Sequence, residues 1–409
     1  MYKKIGIIRE GKQPADRRVP LTPLLCREVL DAYPALDLVV QHSPMRAFMD
    51  AEYELEEIPL VDDLGDRDLI IGVKEVPVDM LMPGKSYLFF SHTIKKQPHN
   101  RKLLRAIMDR GITLIDHELL TDAKGERVLA FGKWAGVVGC YNAFRAWQLH
   151  HGSPDMEPAN ECYDRAEMER HLAALPLLRD LRIVLTGGGR VGKCAMEVLD
   201  KRGVRRVDTE AFLTGTFDGP VYCVAGSEVI YERTDGKPFE KSAFHADPSG
   251  HVSTFMRFAH RAHVYMACHF WDPRGPKLLS AEDLRDERVS LRVIADISCD
   301  VGGPIDSTLR STTIAQPMLG YDRASATECA VGKTGSITVM AVDNLPCELP
   351  RDASEAFGRD LVDHVLPNFL GEDPTGMIER ATIVKNGALT EHYAYLAEYA
   401  ASTPVDKAS

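Results

Sequence analysis

One glycine-rich segment constrains the fold of this chain more than any other. Residues 186–192 read Thr-Gly-Gly-Gly-Arg-Val-Gly, which fits the pattern G-x-G-x-x-G. The apolar run Leu181–Leu185 precedes it, and Cys194–Lys201 follows with helical spacing. A glycine turn between a strand and a helix is typical of a dinucleotide-binding βαβ unit, where the helix N-terminus faces the pyrophosphate. The predicted cofactor-binding residues are Gly187, Gly188, Gly189, Arg190, Val191 and Gly192.

The same segment nearly matches a nucleotide phosphate loop, because Gly192-Lys193 follows Gly187 after four residues. That interpretation fails at Cys194, where a serine or threonine would hold Mg²⁺, since a thiol is a poor ligand for this ion. A glycine turn that binds no ligand is the other alternative.

A dinucleotide site of this kind needs an acidic residue about 20 positions after the glycines, to bind the adenosine ribose. Asp208 lies at close to that distance from Gly189, at the end of the short run Val204–Val207. Arg205 and Arg206 stand beside it and would favour a 2′-phosphate. The sequence therefore favours NAD, leaves NADP open, and leaves a surface role for Asp208 as the alternative.

The first half of the chain alternates strand-like and helix-like segments, which is typical of a parallel α/β sheet. Helix-like segments separate five short apolar runs: Ile5–Ile8, Leu36–Val40, Leu69–Val73, Tyr87–Phe90 and Thr113–Ile115. Thr22 followed by Pro23 predicts a helix start with Thr22 as the N-cap. At 409 residues the chain is long enough for two domains of roughly 150 residues or more each.

Two consecutive predicted strands end in polar residues that titrate. Leu69–Val73 runs into Lys74-Glu75, and His92 follows Tyr87–Phe90 closely. Ligands of parallel sheets lie at the carboxyl ends of the strands, so we expect Lys74 and His92 at one edge. Histidine titrates near neutrality, and partial burial lowers a lysine towards it, which suits an acid/base pair. The alternative is a surface ion pair for Lys74 and a loop-capping role for His92.

A third predicted strand, Val293–Ile297, leads into a turn that contains Asp300 and Gly302-Gly303. The glycines permit close backbone approach to a ligand, so Asp300 is a candidate for binding a ribose, the nicotinamide end or the substrate. Ordinary turn chemistry is the alternative. The sequence contains no residue spacing that suggests a bound metal and no G-x-S-x-G elbow for an acyl-transfer serine.

Composition narrows the classes of partner. Lys plus Arg total 49 against 60 for Asp plus Glu, a formal charge of −11 that would repel a nucleic acid backbone. No run reaches the roughly 18 apolar residues of a membrane span, and the first residues do not read as a signal peptide, so we expect a cytoplasmic protein. Nine dispersed cysteines without a C-x-x-C pair are expected to be reduced thiols.

Taken together, the motifs resemble the alanine dehydrogenase and transhydrogenase superfamily, and within it the lysine-forming saccharopine dehydrogenase or lysine 2-oxoglutarate reductase family. The segments Ser-His-Thr-Ile-Lys (91–95), Ala-Phe-Gly-Lys-Trp-Ala-Gly (130–136) and Asp-Asn-Leu-Pro (343–346) are more similar to the reductase half of the bifunctional lysine-degrading enzyme than to alanine dehydrogenase. The likeness extends over nearly the whole chain. The other segments that carry it are Ile8–Glu10, Arg17–Pro23, Gly72–Glu75, Asp296–Ile305 and Pro350–Ser354.

The resemblance implies an α/β protein of two Rossmann-like domains with parallel sheets and an active-site cleft between the domains. Residues 1–138 with 330–409 would form a discontinuous catalytic domain, and residues 139–329 would form the dinucleotide-binding domain. The resemblance also implies Lys74 and His92 as acid/base residues and Asp300 as a residue near the nicotinamide. The substrate-binding residues would be Arg18, Arg127 and Glu118.

The reaction implied by the resemblance is the NAD- or NADP-dependent interconversion of saccharopine with lysine and 2-oxoglutarate. Saccharopine carries several carboxylates, which arginines bind well. One rival function is that of an alanine dehydrogenase-like enzyme with a smaller substrate. The other is a dinucleotide-binding protein without turnover. The sequence does not assign the acid and base roles between Lys74 and His92, nor the direction of the reaction.

Overall fold

The computed structural model describes residues 2–153 and 156–401. The chain divides into two compact units, Met1–Ala130 with Pro350–Ser409, and Phe131–Leu349. The strands in chain order are β1 Lys4–Ile7, β2 Asp37–Gln41, β3 Leu60–Val61, β4 Leu69–Ile71, β5 Ser86–Phe89, β6 Thr113–Asp116, β7 Arg182–Thr186, β8 Arg205–Arg206, β9 Val221–Ala225, β10 Tyr231–Arg233, β11 His251–Ser253, β12 Val264–Ala267, β13 Val293–Asp296, β14 Met318–Asp322, β15 Thr327–Cys329, β16 Ser336–Met340, β17 Thr382–Lys385 and β18 Ala388–Leu389.

The α-helices in chain order are α1 Pro23–Ala32, α2 Asp50–Leu55, α3 Arg101–Asp109, α4 Gly132–His150, α5 Arg165–Ala174, α6 Arg190–Lys201, α7 Thr209–Thr214, α8 Ser227–Ile230, α9 Lys241–Ala246, α10 Met256–Ala259, α11 Ala281–Arg285, α12 Pro350–Asp360, α13 Leu366–Leu370, α14 Met377–Ala381 and α15 Ala397–Ala401. The predicted start of α1 is confirmed, since the Thr22 side chain accepts a hydrogen bond from the backbone N–H of Leu25 and Pro23 is the first helical residue. The seven predicted strands are confirmed to within two residues at each end.

The first unit contains an eight-stranded sheet in the order β18-β17-β6-β5-β4-β1-β2-β3. The six strands β1 to β6 are mutually parallel, and the antiparallel strands β17 and β18 extend the β6 edge. All three residues of β4 are buried, as expected for a central parallel strand that is covered on both faces. The order β3-β2-β1-β4-β5-β6 is that of a doubly wound fold, which binds ligands at the carboxyl ends of the strands on either side of the reversal.

The second unit contains another eight-stranded sheet, in the order β15-β14-β16-β13-β12-β7-β9-β8. Six strands are parallel, and the edge pair β14 and β15 is antiparallel. This unit extends to Leu349 rather than to the predicted boundary at 329, because β16 pairs with β13 inside the sheet and β14 pairs with β16. It begins at Phe131 rather than at 139, because α4 packs on α6 and β13.

Helix α4 is apolar on most of its surface and is largely buried in the second unit. A Cβ atom at Gly136 would fall far inside van der Waals contact with the carbonyl oxygen of Val191, in the first turn of α6. A Cβ atom at Gly139 would lie 2.6 Å from the Ile297 side chain, which follows β13. The small residues of α4 therefore let it lie directly against the helix that follows the glycine loop, and so fix the position of that helix.

The expected α/β class with two Rossmann-like domains is confirmed by these two sheets. All nine cysteines lie in the described part of the chain and are free thiols. Across residues 2–153 and 156–401, no helix combines the length and apolar character that crossing a membrane requires.

Candidate functional site

The carboxyl edge of the first sheet carries the titratable residues of the candidate site. β4 and β5 are parallel neighbours, and they deliver Lys74-Glu75 and His92 to the same edge. The segment after β1 brings Glu10 to this edge, where its carboxyl group accepts the backbone N–H of Lys74 at 2.9 Å. The structure thus brings the predicted pair Lys74 and His92 together at one sheet edge.

His92 is held by an ionised carboxylate. Its Nδ1 lies 2.6 Å from Oε1 of Glu75, while Nζ of Lys12 lies 2.8 Å from Oε2. Burial acts to raise the pKa of Glu75, but the hydrogen bonds from His92 and Lys12 outweigh it and lower that pKa to about 2. The backbone of His92 is left-handed, with φ of 51°, an uncommon conformation for a residue other than glycine. Glu75 therefore orients the imidazole through Nδ1, and Nε2 is the nitrogen that it leaves for proton exchange.

A second cluster surrounds Lys74. The buried Glu10 accepts backbone N–H groups from Val73 and Lys74 at 2.6 and 2.9 Å. Burial, with the charge of Asp16, raises the pKa of Glu10 to about 8. The charge of Lys74 acts in turn on Asp16 and favours its ionised form. The edge therefore holds a protonated carboxyl group, a carboxylate and an ammonium group close together.

Arg18, the predicted carboxylate-binding residue, lies in this cluster but is deeply buried. Its Nε and Nη2 atoms donate to Oδ1 and Oδ2 of Asp16 at 3.0 and 2.5 Å, and its exposed fraction is 1%. Burial acts to raise the pKa of Asp16, and the charge and hydrogen bonds of Arg18 outweigh it and lower that pKa. A substrate carboxylate would have to share or displace this bidentate pair to reach Arg18.

Arg127 and Glu118, the other predicted substrate-binding residues, form a more open group. Nη1 of Arg127 lies 3.4 Å from Oε1 of Glu118, and Nζ of Lys95 lies 3.1 Å from the same oxygen. The Arg127 guanidinium lies over the ring of Phe90 at 5.3 Å, which packs one face of its plane against an aromatic surface. With 37% of its side chain exposed, Arg127 is an accessible cation for an anionic substrate.

The sequence interpretation missed three residues of this edge: Glu10, Asp16 and His117. His117 follows β6 and donates from Nε2 to the carbonyl oxygen of Gly72 at 2.9 Å. Burial lowers its pKa to about 3, so the ring is neutral at physiological pH. The signal that identified Lys74 and His92, a polar residue directly after a predicted strand, also applies to His117. Glu10 and Asp16 lie in an irregular segment, where no such rule applies.

The glycine loop of the second unit fits a dinucleotide. Gly187 has φ of 89°, and a Cβ atom there would lie 2.6 Å from the carbonyl oxygen of Cys268. A Cβ atom at Gly192 would fall far inside van der Waals contact with the Gly187 carbonyl oxygen, so both positions require glycine. Gly188 and Gly189 have no atom within 4 Å of such a Cβ, which leaves their backbone open to a phosphate group.

The other predicted cofactor residues, Arg190, Asp300 and Asp208, differ in burial and in their place in the fold. Arg190 begins α6, directly after the open glycines. Asp300 follows β13 and is half-buried, and burial raises its pKa. Asp208 is exposed and forms the N-cap of α7, where Oδ1 accepts the backbone N–H of Ala211 at 2.8 Å. One residue was missed here: His269, after β12, whose Nδ1 lies 2.8 Å from Oγ1 of Thr186 at the end of β7.

No group of three or more His, Cys, Asp or Glu residues that could hold a metal ion is found in the part of the chain that the structure describes.

Comparisons with known proteins place these features in a family context. Residues 6–138 match the family described as alanine dehydrogenase/PNT, N-terminal domain. A saccharopine dehydrogenase from Emericella nidulans, named as NAD(+)-dependent and L-lysine-forming, is 27% identical over 88% of this chain and 90% of its own length. Over most of its length the chain is thus similar in sequence to a lysine-forming saccharopine dehydrogenase. An α-aminoadipic semialdehyde synthase from Arabidopsis thaliana is 31% identical over 98% of this chain, and the chain spans 42% of that relative's length.

A solved L-alanine dehydrogenase has the same fold as this chain. The TM-score is 0.65, at 17% identity, over 96% of this chain and 98% of the alanine dehydrogenase. At that identity the likeness establishes the fold alone. The resemblance drawn from the sequence motifs is confirmed by the relatives, and the solved structure confirms the fold class.

Proposed function

We propose that this chain is a nicotinamide-dependent oxidoreductase that interconverts saccharopine with L-lysine and 2-oxoglutarate. The observation that carries the proposal is the carboxyl edge of the first sheet, where Lys74 follows β4 and His92, held by Glu75, follows the neighbouring strand β5. Homologues named for this reaction support the choice of substrate. A binding protein without turnover would have no need of two titratable groups set together in this way.

The charges of the first unit suit a substrate with several carboxylates. Arg127 and Lys95 are partly exposed cations that both contact Glu118, and Lys74 adds another cation at the carboxyl edge of the sheet. Arginine binds carboxylates in a bidentate manner, so we assign Arg127 the first contact with a carboxylate of saccharopine. Arg18 remains a proposed second anchor, reached if a substrate carboxylate takes the place of Asp16.

The proposed cofactor is NAD, with NADP as the alternative. Gly187 to Gly192 and the first turn of α6 would hold the pyrophosphate, because the backbone of Gly188 and Gly189 is open and the N-terminus of a twelve-residue helix follows. Asp300 would lie towards the nicotinamide end. When bound, the oxidised nicotinamide accepts a hydride from the substrate carbon that carries the secondary amine.

Lys74 and His92 would move the protons of the reaction. As the hydride leaves carbon, one of the two groups accepts the amine proton, and the substrate becomes an imine. Water then adds to the imine carbon, and the second group transfers a proton from this water to the amine nitrogen. The carbinolamine hydroxyl then gives up its proton to become the carbonyl of 2-oxoglutarate, while the nitrogen takes one proton and the carbon–nitrogen bond breaks to release lysine. Overall, saccharopine, water and the oxidised cofactor give the two products, the reduced cofactor and one proton.

A substrate panel tests the proposal and its nearest rival. Absorbance at 340 nm would be followed with saccharopine and NAD⁺, with lysine, 2-oxoglutarate and NADH, and with alanine and NAD⁺. Turnover in the first two mixtures supports the proposal. Turnover in the alanine mixture alone would identify an alanine dehydrogenase-like enzyme, and bound dinucleotide without turnover in any mixture would contradict the proposed reaction.

A further inference from the structure

The strand order of the second sheet changes which acidic residue can reach the adenosine ribose. β7, which leads into the glycine loop, is paired on that side with β9, and β8 lies beyond β9. In a Rossmann fold the ribose-binding acid follows the strand beside the glycine-loop strand. Here that strand is β9, although β8 comes first in sequence.

The register places an acidic residue at the required point. Thr186 and Ala225, the last residues of β7 and β9, pair with each other, so the glycine loop begins at the same level of the sheet as the three residues after β9. The third of them is Glu228, and its carboxylate oxygens lie beside the Cα of Gly226 at the end of β9. Glu228 is exposed, and its side chain has no hydrogen bond or ion pair with any other residue in the described ranges.

Asp208 lies too far from the expected ribose position, both across the sheet and along the strands. Neighbouring strands lie about 4.8 Å apart, so β8 is roughly 10 Å from β7. Along the strands, Arg206 pairs with Tyr222, three residues before the end of β9, and the chain then turns into α7. The Asp208 carboxylate is already used as the N-cap of that helix.

The two arginines that precede Asp208 in sequence form β8, so they lie on the edge strand, beyond β9. Arg205 and Arg206 are exposed on the edge strand β8, and the Arg205 guanidinium lies over the ring of Phe217 at 5.3 Å. Arg205 pairs with Val221 and Arg206 with Tyr222, four and three residues before the end of β9, so both arginines lie short of the level at which a ribose would lie beside the end of β9. Their closeness to Asp208 in sequence is therefore not an argument for NADP.

We infer that Glu228 binds the adenosine ribose and selects NAD over NADP. This inference rests on the proposed dinucleotide site and identifies the residue that gives the site its cofactor preference. The Glu228 carboxylate would accept hydrogen bonds from the 2′- and 3′-hydroxyl groups. A 2′-phosphate would remove one of these donors and place a second anion beside the carboxylate. Glu228 and Asp300 follow strands on opposite sides of β7, so the adenosine would lie on the β9 side and the nicotinamide on the β13 side.

The test measures dissociation constants for NADH and NADPH by fluorescence titration of the purified 409-residue chain, without substrate. The variants are Glu228→Gln, Glu228→Arg, Asp208→Asn and, as a charge-matched control on α7, Glu210→Gln. Asparagine is also a good N-cap, so Asp208→Asn preserves α7. We expect wild type to prefer NADH, and Glu228→Gln to weaken NADH binding by about 10-fold, as for loss of a charge-assisted hydrogen bond. Glu228→Arg should reverse the preference towards NADPH.

Several results of these titrations would overturn the assignment of the ribose to Glu228. Unchanged affinities in both Glu228 variants would overturn it, as would a wild type that prefers NADPH. A shift of preference in Asp208→Asn instead would assign the ribose to Asp208, as the sequence predicts. If wild type binds neither dinucleotide, the proposed function fails as well, and this result is distinct from normal wild-type binding with silent Glu228 variants.

Discussion

The two open glycines of the loop allow cofactor binding to be tested separately from folding. Gly189 occupies the second glycine position of G-x-G-x-x-G, where the backbone approaches the pyrophosphate, and Gly188 occupies the preceding variable position. Neither has a positive φ, and a Cβ atom at either would have no neighbour within 4 Å. Gly189→Ala and Gly188→Ala are therefore a matched pair with the same chemical change in adjacent positions.

The structure sets the expected sizes of the two effects. An added methyl group that contacts nothing changes the free energy of unfolding by no more than about 0.5 kcal/mol, so both variants should melt like wild type. At Gly189 the methyl group would displace the pyrophosphate from the backbone and lose at least one hydrogen bond to a charged group, worth about 1.5–3 kcal/mol. That loss corresponds to a dissociation constant for NADH raised about 10-fold to 100-fold.

The assay is fluorescence titration with NADH, with thermal melting of the same samples as the control for folding. Gly188→Ala should weaken NADH binding less than Gly189→Ala does, because Gly188 occupies a variable position of the motif, whereas Gly189 occupies the glycine position at which the backbone approaches the pyrophosphate. Gly192→Ala is a reference for a true folding defect, because its Cβ would overlap the Gly187 carbonyl oxygen and destabilise the unit. Equal NADH affinities for Gly189→Ala and wild type would refute the assignment of the pyrophosphate to this loop.

Three further predictions concern the first unit. Lys74→Met and His92→Gln should each lower kcat by about 10²-fold or more while NADH binding stays unchanged, and stopped-flow absorbance with saccharopine checks this; full activity in both would contradict their acid/base roles. Burial raises the pKa of Glu10 from 4.5 to about 8, so its stabilisation is complete below pH 4.5 and is lost as the pH rises to about 8. The Tm advantage of wild type over Glu10→Gln should therefore shrink between pH 5 and 8, and a constant difference would count against a raised pKa. Burial lowers the pKa of His117 from 6.5 to about 3, so folding loses stability as the pH falls below 6.5, by about 2 kcal/mol at pH 5. His117→Gln should lack this loss in denaturant titrations at pH 7 and 5, whereas parallel curves would exclude a buried neutral imidazole.

Local patterns in the sequence predict much of this molecule. The strands of both parallel sheets are apolar runs bounded by turn residues, and Thr22 with Pro23 marks a helix start by its own chemistry. Lys74 and His92 are found by one rule, that polar residues after parallel strands meet at one edge. The glycine loop is recognised because strand, turn and helix occur in the required order.

What the sequence does not reveal depends on contacts between distant segments. Spacing along the chain selects Asp208 as the ribose-binding residue, whereas Glu228 gains its position only because β9, and not β8, pairs with β7. The bidentate pair of Arg18 with Asp16 is equally hidden, because burial of an arginine cannot be read from its neighbours in sequence. The raised pKa of Glu10 likewise arises from the charge of Asp16 and from burial in the folded unit.

The central claim is that the chain couples dinucleotide reduction to cleavage of the carbon–nitrogen bond of saccharopine. The most direct measurement incubates the purified chain with saccharopine and NAD⁺ and quantifies NADH by absorbance and lysine by mass spectrometry in the same sample. We predict one lysine for each NADH, with both absent from a Lys74→Met sample run in parallel. NADH without lysine, or neither product at any saccharopine concentration from a chain that binds NAD⁺, would contradict the account.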